Sequence, residues 1–209
     1  MAEKYLKIPL TEEDVRGLEI GDVVFLNGPV YTGRSLLHIR AIDQNIIPSI
    51  DFKQMNVLMH IGPVMEMVDD SWRPVSMAPT SSIRFEKYGA AIIKRLGIRA
   101  IIGKTTMGKE TMEMMKQFGA VHLTVVGIMG NLLANQVKKV LGVHFLEELG
   151  RTEATWVMEL DKGGPFIVDI DTKGNNLFHQ INQEVESKFK EFYKKFGIPE
   201  GYQYTDVNA

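Results

Sequence analysis

Cysteine is absent from all 209 residues. Without a thiol the chain forms no disulfide, offers no thiolate nucleophile and holds no thiolate-ligated metal centre by itself. Histidine is nearly as restricted. The five present, His38, His60, His122, His144 and His179, are scattered without HxxxH or HxH pairing, so no metal site is expected within this chain. Long hydrophobic runs are missing too. The most apolar region is interrupted by Lys94, Arg95 and Arg99, well short of the ~20 uncharged residues of a membrane span. The amino terminus, MAEKYLKIPLTEED, sets charges where a signal peptide needs an apolar core. Neither sign of charge is in excess, and a net charge of −2 speaks against nucleic-acid and membrane partners. These absences lead to the expectation of a cytoplasmic protein.

What remains is ordinary for a globular chain, with 44% hydrophobic and 24% charged residues. The length suits a single domain over residues 1–209 with a terminal appendage. Thr11-Glu-Glu-Asp14 is placed to start a short helix, and Gly21 turns into a strand, Asp22–Leu26, that Asn27-Gly28-Pro29 ends. Leu36, Ile39, Asp43 and Ile46 step through a helix from Arg34 to Ile47, stopped by Pro48. Strands are expected at Val57–Ile61, Pro74–Ala78, Arg99–Ile102 and Val121–Val126. Helices are expected at Ser81–Leu96, closed by Gly97, at Gly108–Phe118 and at Asn131–Leu141. The alternation predicts an α/β fold with a parallel sheet layered by helices. Thr155–Leu160 and Phe166–Asp171 read as an antiparallel hairpin across a Lys162-Gly163-Gly164 turn. Phe178, Ile181, Val185, Phe189, Phe192 and Phe196 then mark an amphipathic helix over about 178–196, whose stripe reads as core or subunit interface.

Three segments share one geometry, in which a strand ends, a short loop follows and a cation stands near the next helix start. They are Gly28-Pro29-Val30-Tyr31-Thr32-Gly33-Arg34, Ala78-Pro79-Thr80-Ser81-Ser82-Ile83-Arg84 and Ile101-Ile102-Gly103-Lys104. In layered α/β proteins ligands bind beyond the carboxyl ends of the strands, where helix N-termini offer free N–H groups and arginine grips carboxylates through two hydrogen bonds. Such a floor suits a small dicarboxylate, and the plainer alternative is a set of surface cations. Thr80 is either a helix N-cap or a group that handles a proton. His38, one turn after Arg34, either orients a bound group or is structural, and His60 reads as structural. Gly103-Lys104-Thr105 has the end of a phosphate-binding loop, but Ile98 stands where that motif needs its first glycine, which excludes nucleotide binding.

Taken together and in order, GDVVFLNGPVYTGR with His38 after it, APTSSIR, IIGK and the later MELDKGGPFIVDIDTKGNNLF resemble the successive motifs of the class I fumarase carboxy-terminal domain. In two-subunit iron–sulfur hydro-lyases, L(+)-tartrate dehydratase among them, that domain is a separate β chain. The resemblance spans about residues 20–180. It implies a swivelling β/β/α domain of three layers, with a parallel central sheet and a second antiparallel sheet. It also implies reversible trans addition of water to a carbon–carbon double bond at a [4Fe-4S] cluster. The cluster's ligands would come from a cysteine-bearing α subunit, which makes the enzyme a hetero-oligomer and explains the missing cysteines here. Carried over by position, Arg34, Arg84 and Lys104 would hold the substrate carboxylates, Thr80 would be the catalytic base and His38 an orienting group. Three positions depart from the family pattern. Ser35 replaces an acidic residue, Phe85-Glu86 replaces Met-Asp, and Thr105-Thr106 replaces a glycine pair. Hydration of fumarate to malate is the leading reading, with tartrate dehydration beside it and a non-catalytic dicarboxylate-binding module as the rival of a different class.

Overall fold

The computed structural model of the chain describes residues 1–127, 130–199 and 201–202. Its elements in order are β1 (Glu3–Lys7), α1 (Glu12–Arg16), β2 (Val23–Thr32), α2 (Ser35–Ile42), β3 (Val57–Met59), β4 (Val64–Val68) and β5 (Ser71–Ser76). A 3-10 turn at Ser82–Phe85 leads into α3 (Glu86–Leu96), followed by β6 (Ala100–Gly103), α4 (Lys109–Phe118) and β7 (Val121–Val125). The chain continues through α5 (Gly130–Asn135), β8 (Val137–His144), α6 (Leu146–Glu153), β9 (Thr155–Ile170) and α7 (Leu177–Phe196). Met1–Asn176 form one compact unit, and α7 begins a second. Among the described residues no helix is long and apolar enough to cross a membrane.

Local chemistry accounts for several of these boundaries. Thr11 and Asp14 form a reciprocal capping box at the start of α1. Gly97 closes α3 in the left-handed region, at φ 65°. Asp69 and Asp70, both at positive φ, make the two-residue turn between β4 and β5, a geometry matched to strand twist.

The first unit is a mixed α/β structure with a mostly parallel central sheet and a small antiparallel one. Strands β1, β2, β3, β6 and β7 pair in parallel in that order. β9 runs antiparallel to β7, β8 and β2, so the ladder from β2 through β3, β6 and β7 returns to β2. The antiparallel β4–β5 hairpin is the second sheet. Alternating residues supply two cores. Tyr31, Leu58 and Ile101, in register across β2, β3 and β6, face Leu37, Ile92, Ile93 and Met115 of α2, α3 and α4. Their neighbours Val30, Met59 and Ile102 pack with Met65, Met77, Leu133 and Trp156. Trp72 of the hairpin meets Trp156 edge-on with ring centroids 5.1 Å apart. Burying each such apolar side chain is worth roughly 1.5–3 kcal/mol.

The structure corrects the sequence reading in four places. β2 passes through Asn27-Gly28-Pro29 to Thr32, because Gly28 at φ 116° forms a bulge there. α2 ends at Ile42, five residues before Ile47, and Asn45 then turns left-handed at φ 59°. The helix expected over Asn131–Leu141 stops at Asn135. Val137, Val140 and Val143 belong instead to β8, where Lys138 and Lys139 keep the edge strand charged. Finally, Thr155–Asp171 is no hairpin. β9 is continuous across Gly163-Gly164, pairing with β8 first and β7 later while β2 lies along its other side. Gln136 satisfies the bulged backbone, accepting from the Gly164 N–H at 3.0 Å and donating to its carbonyl at 2.6 Å.

One buried amide ties the start of the chain to the sheet. Asn56 accepts from the Leu10 N–H at 2.9 Å and donates to the Leu10 carbonyl at 2.8 Å. Asn56→Ala strands both groups in an apolar setting, and each costs about 1–3 kcal/mol when left unpaired. Denaturant unfolding is expected to show a loss of at least about 2 kcal/mol.

Candidate functional site

β2, β3 and β6 are adjacent in the sheet, so the segments leaving their carboxyl ends come out side by side. Arg34 follows β2, His60 follows β3 and Lys104 follows β6. The Pro79–Ser82 segment lies between the last two as a short extra strand. Pro79 bridges Ile61, and Ser81 bridges Lys104 in parallel. The Thr80 N–H donates to the His60 carbonyl at 2.7 Å, and the Lys104 N–H donates to the Thr80 carbonyl at 3.1 Å. The Ser82 N–H donates to the Lys104 carbonyl at 2.9 Å. Thr80 and Lys104, far apart in sequence, are thus direct backbone neighbours, and Arg84 follows four residues after Thr80 in the 3-10 turn.

Thr80 is half-buried, and among the described residues no hydrogen bond engages its hydroxyl. The residue capping the 3-10 turn is Ser81, which makes no side-chain capping bond. The helix-cap explanation of Thr80 therefore has no contact behind it. Arg84 and Lys104 are exposed, and among the described residues neither has a carboxylate partner. Arg34 is placed differently. Its guanidinium pairs with Glu153 at 3.4 Å while the other oxygen of Glu153 accepts the Leu36 N–H at 3.0 Å, so one carboxylate serves both the arginine and the N-terminus of α2. Glu153 was not legible as part of the site, since it lies over a hundred residues from Arg34 in no recognisable spacing.

Two glycines make room for this arrangement. A side chain on Gly62 would come within 2.8 Å of the Arg34 Cδ and 2.7 Å of the Thr152 carbonyl oxygen. One on Gly103 would lie 1.9 Å from the Ser82 hydroxyl. The Lys104 loop is also strained, because Thr105 sits in the left-handed region at φ 62°. For a β-branched residue that costs on the order of 1–3 kcal/mol, and it is the position where the resembling family carries glycine. Glu86 anchors the far end of the loop. Its carboxylate accepts from the Gly108 N–H at 2.6 Å, the Thr111 N–H at 3.1 Å and the Thr111 hydroxyl at 2.7 Å.

Behind the floor lies a buried aromatic cluster. The rings of His38 and His60 have centroids 5.1 Å apart, and Phe85 stands 4.8 Å from the first and 4.7 Å from the second. The His38 Nδ1–H donates to the Arg34 carbonyl at 3.0 Å, since a carbonyl can only accept. His38 is thus fully buried beneath the arginine's main chain. The His60 ring meets the Ser82 hydroxyl at 2.9 Å through Nδ1. Burial pushes the His38 pKa down to about 4, against a smaller upward pull from the Arg34 carbonyl. Burial, and then the proximity of His38 and His122, holds His60 well below the usual histidine range. Both rings are neutral at pH 7, so the formal positive charge on these segments is that of Arg34, Arg84 and Lys104.

Residues 3–181 match the family model described as the fumarase C-terminus. A Methanocaldococcus jannaschii protein provisionally named L(+)-tartrate dehydratase subunit beta is 40% identical, over 87% of this chain and 94% of its own. The L(+)-tartrate dehydratase subunit beta of Escherichia coli is 35% identical, over 84% of this chain and 86% of its own. A Geobacillus stearothermophilus protein provisionally named class I fumarate hydratase is 36% identical over 90% of this chain, a stretch that is only 36% of that longer protein.

The neutral histidines make stability depend on acid. Above pH 6.5 neither the folded nor the unfolded chain protonates His38. As pH falls from 6.5 towards about 4, the unfolded chain binds a proton that the folded chain does not, and stability drops. His38 alone accounts for about 3 kcal/mol of that loss, at 1.36 kcal/mol per pKa unit. Urea unfolding at pH 7 and pH 4.5 is expected to show a clearly smaller decline for His38→Asn than for the unchanged chain.

Proposed function

The chain belongs to the fumarase C-terminus family, and on that premise we propose that it is the β subunit of a hydro-lyase that hydrates fumarate to malate reversibly. The observation that carries the reading is the joining of Thr80 to Lys104 by a backbone hydrogen bond at the end of β6, with Arg84 one turn further on and Arg34 leaving β2, one strand beyond β3 in the same sheet. The fold is read as the swivelling β/β/α type. A second reading, L(+)-tartrate dehydration, is favoured by a specific fact: the relatives with tartrate dehydratase names are matched over nearly their whole length, whereas the fumarate hydratase relative is much longer. A β subunit requires an α subunit, and the assembly is taken to be a cytoplasmic hetero-oligomer.

In this reading Arg34, Arg84 and Lys104 bind the two carboxylates of the substrate and fix the carbon–carbon bond over Thr80. Arginine does so through a planar fork, lysine as a point charge. Positive charge placed where the transition state gathers negative charge lowers the barrier more than it strengthens substrate binding. The Thr80 hydroxyl exchanges the proton at the carbon next to the one that carries the leaving hydroxyl. The cations around it favour its deprotonated form. His38 supports Arg34 from below through the main chain, as an orienting group.

The [4Fe-4S] cluster implied by the family resemblance does not fit the residues of this chain. The sequence has no cysteine, and among the described residues no group of three histidines or carboxylates is placed to hold a metal. The cluster, which would supply Lewis-acid chemistry, would therefore be held by the cysteines of the α subunit.

Two results are expected. The purified chain, freed of any partner, folds but contains no iron and shows no hydratase activity, and activity with fumarate, malate or tartrate returns on reconstitution with a cysteine-bearing α subunit. Turnover by the isolated chain contradicts the two-subunit assignment. In the reconstituted complex Arg84→Met and Lys104→Met each lower kcat/KM by about 100-fold, the effect of losing one preorganised donor. The melting temperature stays close to that of the unchanged protein, since both side chains are exposed. Near-normal kcat/KM in both variants places the site elsewhere.

A further inference from the structure

The stretch that leads from Lys104 into α4 has little main-chain support. Thr105, Thr106 and Met107 lie between β6 and α4, and among the described residues none of their main-chain N–H or C=O groups is hydrogen-bonded. Thr105 nevertheless holds φ 62°, and a strained residue persists only where its surroundings fix it. Side chains do the fixing here. Met107 is fully buried, in the core that holds Ile92 and Met115. The Thr105 hydroxyl donates at 2.5 Å to the Lys104 carbonyl, the same group that accepts the Ser82 N–H. The Thr106 hydroxyl accepts from the Asn176 amide at 2.8 Å.

Asn176 is only 3% exposed and comes to the loop from beyond the end of β9, where it bridges Ile170. Asp171 closes the turn that leads to it. That carboxylate accepts from the Lys173 N–H at 2.9 Å, the Asn175 N–H at 3.0 Å and the Asn175 amide at 2.8 Å. The Asn176 Nδ2 reaches other elements instead, with Thr106 at 2.8 Å and the Met112 sulfur of α4 at 3.5 Å. One buried amide thus spans the loop and the helix into which the loop runs. At the other end of the loop the Lys104 N–H donates to the Thr80 carbonyl at 3.1 Å. A short path therefore links the end of β9 to the candidate site, from Asn176 to Thr106, along two residues to Lys104, and across to Thr80.

Resting on the reading of Lys104 as a carboxylate-binding cation, we propose that Asn176 and Thr106 are positioning residues, a latch whose hydrogen bond holds the loop so that Lys104 stays joined to Thr80. Thr106→Val keeps the shape of the side chain and removes the acceptor. In the full-length chain, hydrogen exchange at the Lys104 N–H is expected to quicken by about 10-fold, the scale of one lost hydrogen bond. The His60 N–H, bonded to the Ile102 carbonyl at 2.7 Å, keeps its rate. Asn176→Ala gives the same signature and adds nothing to Thr106→Val, whereas Thr106→Ser, which keeps the hydroxyl, restores slow exchange. In the reconstituted complex Thr106→Val lowers kcat/KM per folded complex by a similar factor, and in a Lys104→Met background it lowers it no further. A merely structural loss would quicken exchange at His60 as well and reduce the yield of complex without changing its kcat/KM. Unaltered exchange at Lys104, an equal rise at His60, a serine variant that behaves as the valine one, or an equal cost of Thr106→Val with and without Lys104 overturns the proposal. If Lys104→Met alone leaves kcat/KM normal, it is the functional reading that fails, and the exchange rates alone decide for or against the latch.

Discussion

The Thr80 peptide is held on both sides, its N–H by the His60 carbonyl at 2.7 Å and its C=O by the Lys104 N–H at 3.1 Å. Everything else at the candidate site depends on this short ladder. It inserts the Pro79–Ser82 segment between the ends of β3 and β6, so that a residue from one crossover lies beside a lysine from the next. His60 contributes twice, by its carbonyl to Thr80 and by its ring to the Ser82 hydroxyl at 2.9 Å. Gly103 has no side chain because the Ser82 hydroxyl occupies that space. A larger residue there forces the segment away from β6 and parts Thr80 from Lys104.

The electrostatics follow from the same layering. His38, His60 and Phe85 fill the space below the floor as a neutral aromatic cluster, since burial denies both imidazoles a proton at pH 7. Of the cations on these segments, Arg34 is paired with Glu153, while Arg84 and Lys104 are exposed and, among the described residues, pair with no carboxylate. Glu86, the carboxylate closest in sequence to Arg84, is taken up by the start of α4. The substitutions at this rim relative to the resembling family thus have structural consequences. Phe85 packs between the histidines, Glu86 ties the loop to α4, and Thr105 accepts a left-handed conformation that glycine adopts without strain.

The layered α/β character was legible because period and punctuation carried it. Thr11 and Asp14 announced α1, Gly97 the end of α3, and short apolar runs the parallel strands. The order of the three cation loops was legible as well, and through it the resemblance. What escaped reading depended on distant partners. Val137, Val140 and Val143 have a helical step, yet pairing with β9 makes them a strand. Lys162-Gly163-Gly164 looks like a turn, yet Gln136 and Asn27 satisfy its backbone and keep β9 running. At the site, the positions of Thr80 and Lys104 followed from their motifs, but their mutual hydrogen bond and the role of Glu153 arise only from sheet order.

The central claim is that Thr80 handles the substrate proton on this floor rather than capping a helix. The most direct measurement is exchange of the substrate C–H proton with solvent deuterium in the α–β complex carrying Thr80→Ala, with melting temperature and cluster content checked on the same sample. With folding and cluster intact, exchange is expected to slow by about 100-fold together with kcat, within the range of a general base. Thr80→Ser should keep part of the rate. Wild-type exchange and turnover in a fully folded Thr80→Ala complex would contradict the account.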